Sequence, residues 1–389
     1  MTVPDIPPGS LFGVDNLPYG IFSAGGGTPR AGVRVGEHVL DLSAVLDDPV
    51  FAAGSLNPFM AQGYDRWVAA RAQIQDLITG DVPAEALHAV DDVTLHLPIE
   101  VADYVDFYAS EHHASNVGRL FRPDAEPLLP NWKHLPVAYH GRAGTVYVSG
   151  RDIVRPSGQR KGENGPVFGP SQRLDIEAEL GFIVGTGTPA NTPISPDDFA
   201  QHVFGAVILN DWSARDIQAW EYVPLGPNLG KSFATSISPW VVPILALENA
   251  RVPLPGQTTP KPLPYLRETD PWGLNIDLTV TWNGQPVAHP PYREMYWSPA
   301  QMLAHLTING ASARTGDLYG SGTISGPNQD QRGSFLELSW GGKTPITING
   351  KPKTFLDDND EITITASAPA ANGSRLSFGD VSGRILPAR

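Results

Sequence analysis

Short apolar runs broken by turn-forming residues dominate the chain, and the run inside FGAVILND is the plainest of them. Val207-Ile208-Leu209 reads as a buried strand. Past Asn210-Asp211 the spacing changes. Asp211, Arg215, Gln218 and Tyr222 fall at i, i+4, i+7 and i+11, so a helix there carries all four on one polar face. Trp212, Ile217, Ala219 and Trp220 form no clean apolar stripe opposite them, which predicts a helix with structure on several sides. Residues 174–184, LDIEAELGFIV, alternate instead: Ile176, Ala178 and Leu180 point one way, Glu177 and Glu179 the other. The apolar flanks imply burial on both faces. Residues 335–340, FLELSW, read the same way, with Glu337 on the face of Phe335 and Ser339.

Residues 1–100 show a pattern of their own. Strand signals at 19–22, 31–35 and 38–42 are separated by glycine-rich turns. Residues 66–80 read as a helix with Trp67, Ala70, Ile74 and Leu77 on one face. The expectation is a compact, barrel-like β module without catalytic residues, joined to the rest through residues 93–98. Farther on, the strand at 275–282 meets the hairpin signal Asn283-Gly284. Residues 295–306 read as a helix, and 316–326 as a strand entering a glycine-rich loop able to bring backbone N–H groups to a ligand. Residues 355–386 read as further strands.

Composition narrows the function. Glycine (40) and proline (38) are abundant for a helical protein and favour short strands and turns. The net charge is −14, with 27 basic and 41 acidic side chains and no basic run, which argues against nucleic acid or an anionic membrane as partner. There is no cysteine, so disulfides, thiolate zinc sites and thiol nucleophiles are excluded. The first twenty residues lack the basic start and apolar core of a signal peptide, and no stretch approaches membrane-spanning length, so a soluble cytoplasmic protein is expected.

Candidate chemistry thickens from residue 104. Asp106, Tyr108, His112 and His113 fall within one short stretch, followed by Arg122 and by a turn at 135–142 dense in hydrogen-bonding side chains. Gly226-Pro227-Asn228-Leu229-Gly230-Lys231-Ser232 imitates a phosphate loop, but its glycines are one residue too close together for G-x-x-x-x-G-K-S, and a nucleotide site is rejected.

The segments DFYASEHHASNVG, PNWKHLPVAYHGRAG, LDIEAELGFIVG, LNDWSARDIQAWEYVPLGPNLGKSFATSISPWVVP, SGTISGP and LELSW together resemble the fumarylacetoacetase family, in its order, from Asp106 to Trp340. The first hundred residues match more faintly, at 16–20 and 40–43. The resemblance implies a mainly β protein of α+β type. An SH3-like barrel (1–100) would precede a mixed β-sandwich roll carrying the catalysis (101–389), in a homodimer formed through the latter. It implies metal ligands at Asp106, Glu177, Glu179 and Asp211, with Lys231 and Thr235 behind them. His113 becomes the catalytic base and Glu337 its carboxylate partner, with Arg215, Gln218 and Lys231 also catalytic. Tyr108, Arg122, Tyr139, Tyr222 and Thr323 would bind substrate. The implied reaction is hydrolysis of a carbon–carbon bond in a diketo acid. Four carboxylates brought together cannot all stay ionised without a strong cation, and oxygen-only ligands favour magnesium or calcium over zinc. A relative with the same carboxylates but decarboxylase or isomerase chemistry is the competing reading. The His113–Glu337 pair and the Arg122 and Tyr139 motifs favour hydrolysis.

Overall fold

A computed structural model describes Pro4 and residues 6–389; residues 1–3 and 5, part of the N-terminal stretch read above, lie outside it. The strand expected around Val207 runs Val203–Asp211, inside a mixed sheet. Across that sheet lie, in order, Ala138–His140, Tyr104–Phe107, Leu318–Gly320, Ala178–Val184, Val203–Asp211, Thr235–Ile237 and Val146–Val148. Every residue of Ala178–Val184 and Val203–Asp211 is buried, because each face of the sheet has a layer on it. Ile183, Val207 and Leu209 pack with Trp67, Ala70 and Ile74 of the N-terminal region. Leu180, Phe182, Ala206 and Ile208 belong to a larger core with Ile362, Ile364 and Val381. A strand covered on both sides has no wet face to mark with polar residues, which is why VIL is continuous.

The N-terminal region is an antiparallel five-stranded sheet in the order Leu87–Ala89, His38–Asp41, Arg30–Val35, Tyr19–Ala24, Val93–His96. Helix Tyr64–Thr79 buries Trp67, Ala70, Ile74 and Ile78 in a core shared by this sheet and the central one, while Leu77, expected on that face, is only half-buried. On the far side of the central sheet lies a second five-stranded sheet: Gln285–Ala288, Asp277–Trp282, Glu361–Pro369, Arg375–Leu386 and Ile153–Val154. Asn283-Gly284 closes its first hairpin. Ile362, Ile364, Ala366 and Ala368 alternate inward along Glu361–Pro369. Mainly β is therefore the observed class. Among the described residues no helix is long and apolar enough to cross a membrane.

Two expected elements outside the acid cluster differ. The helix read at 295–306 begins only at Pro299 and runs to Thr307, because Ser298 caps it. Its Oγ accepts from the Gln301 N–H (3.0 Å), and the Gln301 side chain accepts from the Ser298 N–H (3.1 Å). Residues 335–340 are not a strand. Phe335–Leu338 is a single helical turn with Ser334 at its N-cap. Four residues with one acid among three apolar side chains fit either period, and the capping serine decides.

Candidate active site and metal centre

The central sheet gathers the four acids, with Leu318–Gly320 between the strand of Asp106 and that of Glu179. Asp106 lies on Tyr104–Phe107, Glu179 on Ala178–Val184 with Glu177 just before it, and Asp211 ends Val203–Asp211. The Asp211 N–H donates to the Glu177 carbonyl (3.1 Å), which extends the pairing of those two strands to the acids themselves. One oxygen from each of Asp106, Glu177, Glu179 and Asp211 lies within 4.8 Å of the others, and all four residues are buried. Gly320 stands between the strands of Asp106 and Glu179, where a Cβ would fall 2.8 Å from Glu179 Oε2. Gly322, at φ +77°, lets its N–H donate to the same oxygen (2.9 Å), so the glycine-rich loop meets a carboxylate directly.

Asp211 is not on the helix predicted for it. It pairs with Thr235, and Ser213–Ala214 then pairs with Leu174–Asp175, so the chain stays extended until helix Arg215–Glu221 begins. Arg215 and Gln218 reach the cavity from that helix, and Tyr222 from its C-terminal cap.

Three buried cations stand among the acids. Arg142 donates to Asp211 Oδ1 (2.7 Å) and Asp106 Oδ2 (2.8 Å). Lys231 donates to Asp211 Oδ2 (2.6 Å) and to Glu177 Oε2. Arg215 donates to Glu177 Oε1 (2.8 Å) and, through Nε, to Asp175 Oδ2 (2.8 Å). Thr235 Oγ1 donates to Asp211 Oδ1 (3.0 Å), and the Tyr139 hydroxyl to Asp106 Oδ2 (2.8 Å). Lys231, in the rejected phosphate-loop look-alike, is thus turned toward carboxylates.

Charge remains unbalanced at two of the four acids. Burial, then the neighbouring Asp211 carboxylate, pushes the Asp106 carboxyl up to about 7 against the pull of Arg142 and Lys231. Burial and Asp106 push Glu179 well above the carboxylate range. Burial acts to raise Glu177 too, but Lys231 and Arg215 outweigh it and hold that carboxyl below its ordinary value. Asp106 Oδ1 and Glu179 Oε1 are buried without a hydrogen-bond partner among the described residues. Two partnerless carboxylate oxygens in an all-oxygen cluster suit a hard divalent cation.

His113 and Glu337 meet although 224 positions separate them, with Nδ1 and Oε2 2.6 Å apart. Ser110 caps helix Glu111–Phe121 and turns His113 inward. His112, about 100° around the helix, is partly exposed and 3.8 Å from Glu294. Glu337 also accepts from Asn116 (2.9 Å), Ser334 (2.7 Å) and Ser325 (3.0 and 3.1 Å). Burial acts to raise its carboxyl, but His113 and these donors hold it below the ordinary value.

A cavity of about 300 Å³ opens between the pair and the cluster. His113, Asp106, Glu177, Arg215, Gln218 and Lys231 line it, as do Tyr108, Arg122, Tyr139, Tyr222 and Thr323. Arg122 donates to the Pro127 carbonyl (2.9 Å), while its Nε and Thr323 Oγ1 are buried without partners among the described residues. Glu179, Asp211, Thr235 and Glu337 stand behind this lining. Arg142, Asp175 and Asn116 lie in segments the sequence reading singled out, but it gave them no role. Each acts through a partner 36 or more positions away, and no local pattern marks such pairs.

Comparison with known proteins identifies the family. The family model "Fumarylacetoacetate (FAA) hydrolase C-terminal" matches residues 103–383, and "Fumarylacetoacetase N-terminal" matches 15–98. The chain is 45% identical to the fumarylacetoacetase of Rattus norvegicus, covering 97% of each, and 42% identical to that of Arabidopsis thaliana, covering 98% of this chain and 97% of that one. A solved fumarylacetoacetate hydrolase from psychrophilic Exiguobacterium antarcticum shares the fold at TM-score 0.59 and 19% identity, over 96% of this chain and all of that one. By the family models and these near full-length relatives, the chain belongs to the fumarylacetoacetase family.

Proposed function

We propose that this chain hydrolyses 4-fumarylacetoacetate to fumarate and acetoacetate, the last step of tyrosine and phenylalanine breakdown. The observation that carries the reading is a single cavity with a histidine–carboxylate pair on one side and a four-carboxylate cluster on the other. It occurs in a chain 45% identical to a fumarylacetoacetase. Asp106, Glu177, Glu179 and Asp211 would hold a divalent cation, magnesium or calcium by the hardness of the donors, with Lys231 and Thr235 behind them. When bound, that ion supplies Lewis-acid polarisation of a substrate carbonyl.

Glu337 engages Nδ1 of His113, which leaves Nε2 to take a proton from water. The water oxygen bonds to the carbonyl carbon of the fumaroyl half. The carbon–carbon bond to the acetoacetyl half then breaks, its electron pair leaves with acetoacetate, and that carbon takes up a proton. Arg215, Gln218 and Lys231 are suited to stabilise the developing charge, at about 2–4 kcal/mol per contact. Tyr108, Arg122, Tyr139 and Thr323 hold the ends of the substrate, and Tyr222 binds it beside Arg215 and Gln218. The same reading takes 1–100 as an SH3-like barrel and 101–389 as the catalytic unit, in a cytoplasmic homodimer formed through the latter. A monomer by light scattering would count against the dimer. Loss of fumarylacetoacetate absorbance in the presence of Mg²⁺, abolished by chelator, tests the reaction; no turnover by the folded protein would overturn it.

A further inference from the structure

Asp175 is fully buried and does not line the cavity, yet it touches both halves of the machinery. Its Oδ1 accepts from the N–H groups of Ile176 (2.8 Å) and Phe335 (2.7 Å). Its Oδ2 accepts from the Leu336 N–H (2.9 Å) and Arg215 Nε (2.8 Å). Phe335 and Leu336 open the helical turn that presents Glu337 to His113. Arg215 continues from Asp175 to Glu177 Oε1 (2.8 Å) and Gln218 Oε1 (3.1 Å). One carboxylate therefore joins the group that orients the base to the cation assigned to the leaving fragment.

Each oxygen of Asp175 receives two N–H groups, so the side chain has no spare acceptor direction. An asparagine could not reproduce this. Whichever way its amide turned, an NH₂ would face two donors, and either Phe335 or the Leu336–Arg215 side would come loose. With that hold gone, the guanidinium would be drawn toward Glu177 alone.

We propose that Asp175 is a positioning residue for the hydrolysis, holding the Arg215 guanidinium and the Glu337 turn in fixed relation so that both act on one scissile bond. The proposal rests on the hydrolase reading above, and wild-type turnover in the same assay separates the two. Without that turnover the hydrolase reading falls; with it, the variants decide the role of Asp175. The experiment uses the full chain saturated with Mg²⁺ and compares Asp175→Asn, Arg215→Lys and the double variant. Asp175→Asn should lower kcat about 100-fold, the usual consequence of misplaced catalytic groups. KM and Mg²⁺ affinity by calorimetry should change no more than about threefold. The double variant should lose clearly less than the product of the two single losses, because the part of the Asp175 effect that runs through Arg215 is already gone in Arg215→Lys. A purely structural clamp would lower the melting temperature and leave kcat of the folded fraction at the wild-type value. That outcome, or losses that multiply fully in the double variant, overturns the proposal. Should Asp175→Asn fail to fold, Asp175→Glu keeps the charge one methylene out of place and enters the same cycle with the same two outcomes.

Discussion

Glu337, behind His113, and Asp106, in the cavity wall, are both buried carboxylates, and burial ends differently for each. Glu337 has both oxygens occupied by His113, Asn116, Ser325 and Ser334, and its carboxyl sits below the ordinary value. Asp106 shares one oxygen between Arg142 and Tyr139, keeps the other without a partner, and is pushed up to about 7. Glu179 repeats the second pattern. The contrast separates two ways of making a site. The base and its partner are finished by the protein, with fixed donors already aimed at the charge. The acid cluster is left short of positive charge, and such a group is costly until a cation arrives.

If the two sides are independent, His113→Ala should lower kcat about 1,000-fold while Mg²⁺ still binds by calorimetry. Loss of Mg²⁺ binding in that variant would break the contrast. Glu337→Gln should cost about 100-fold in kcat, since an amide cannot stabilise the imidazolium that forms. On the acid side, Mg²⁺ at about 100 times its Kd should stabilise the fold by about 2.7 kcal/mol, read as a rise in melting temperature. The metal-free protein should also respond to pH. Its folded state keeps the Asp106 proton to about 7, whereas the ordinary value is 3.8, so stability should fall as pH rises through that window and level off above it. Glu179 acts in the same direction. Glu337, held low, acts the other way, with stability lost only as pH falls below its ordinary 4.5. A melting temperature flat between about pH 4 and 7 without metal would remove the asymmetry. The smallest effect belongs to His112→Ala, which should stay within about twofold of wild-type kcat because its one ionic neighbour among the described residues is the half-exposed Glu294.

Much of this was legible before the fold was known, and the failures share a cause. The acids on 174–184 and the apolar run at Val207 were readable because period-2 alternation and continuous burial leave local marks. Asp211 was read onto a helix because its spacing to Arg215 is helical, but hydrogen bonds to Thr235 and from Ser213–Ala214 to Leu174–Asp175 keep it extended. Glu337 was placed on a strand although Ser334 caps a helical turn there. Arg142 and Asp175 lay in segments that were singled out but received no role, since what distinguishes them is contact with residues distant in sequence. Which acids converge came from family resemblance rather than from spacing.

The placing of the acids on strands of one sheet has a consequence for how errors show themselves. Glu177 and Glu179 share a face because they are two residues apart, with Ala178 between them facing the other way. Were this strand to pair one residue out of step with Val203–Asp211, both carboxylates would leave the acid cluster together, and Ala178 and Leu180 would take their places. The same slip would turn the core face toward the ligands and spoil packing on both sides of the sheet. A single insertion or deletion between Leu174 and Val184 therefore erases site and core in one event, and a chain whose strands have slipped cannot present the assembled cluster to an ion. Ion capture would thus act as a proofreader of strand alignment, rewarding only the register that also buries the core.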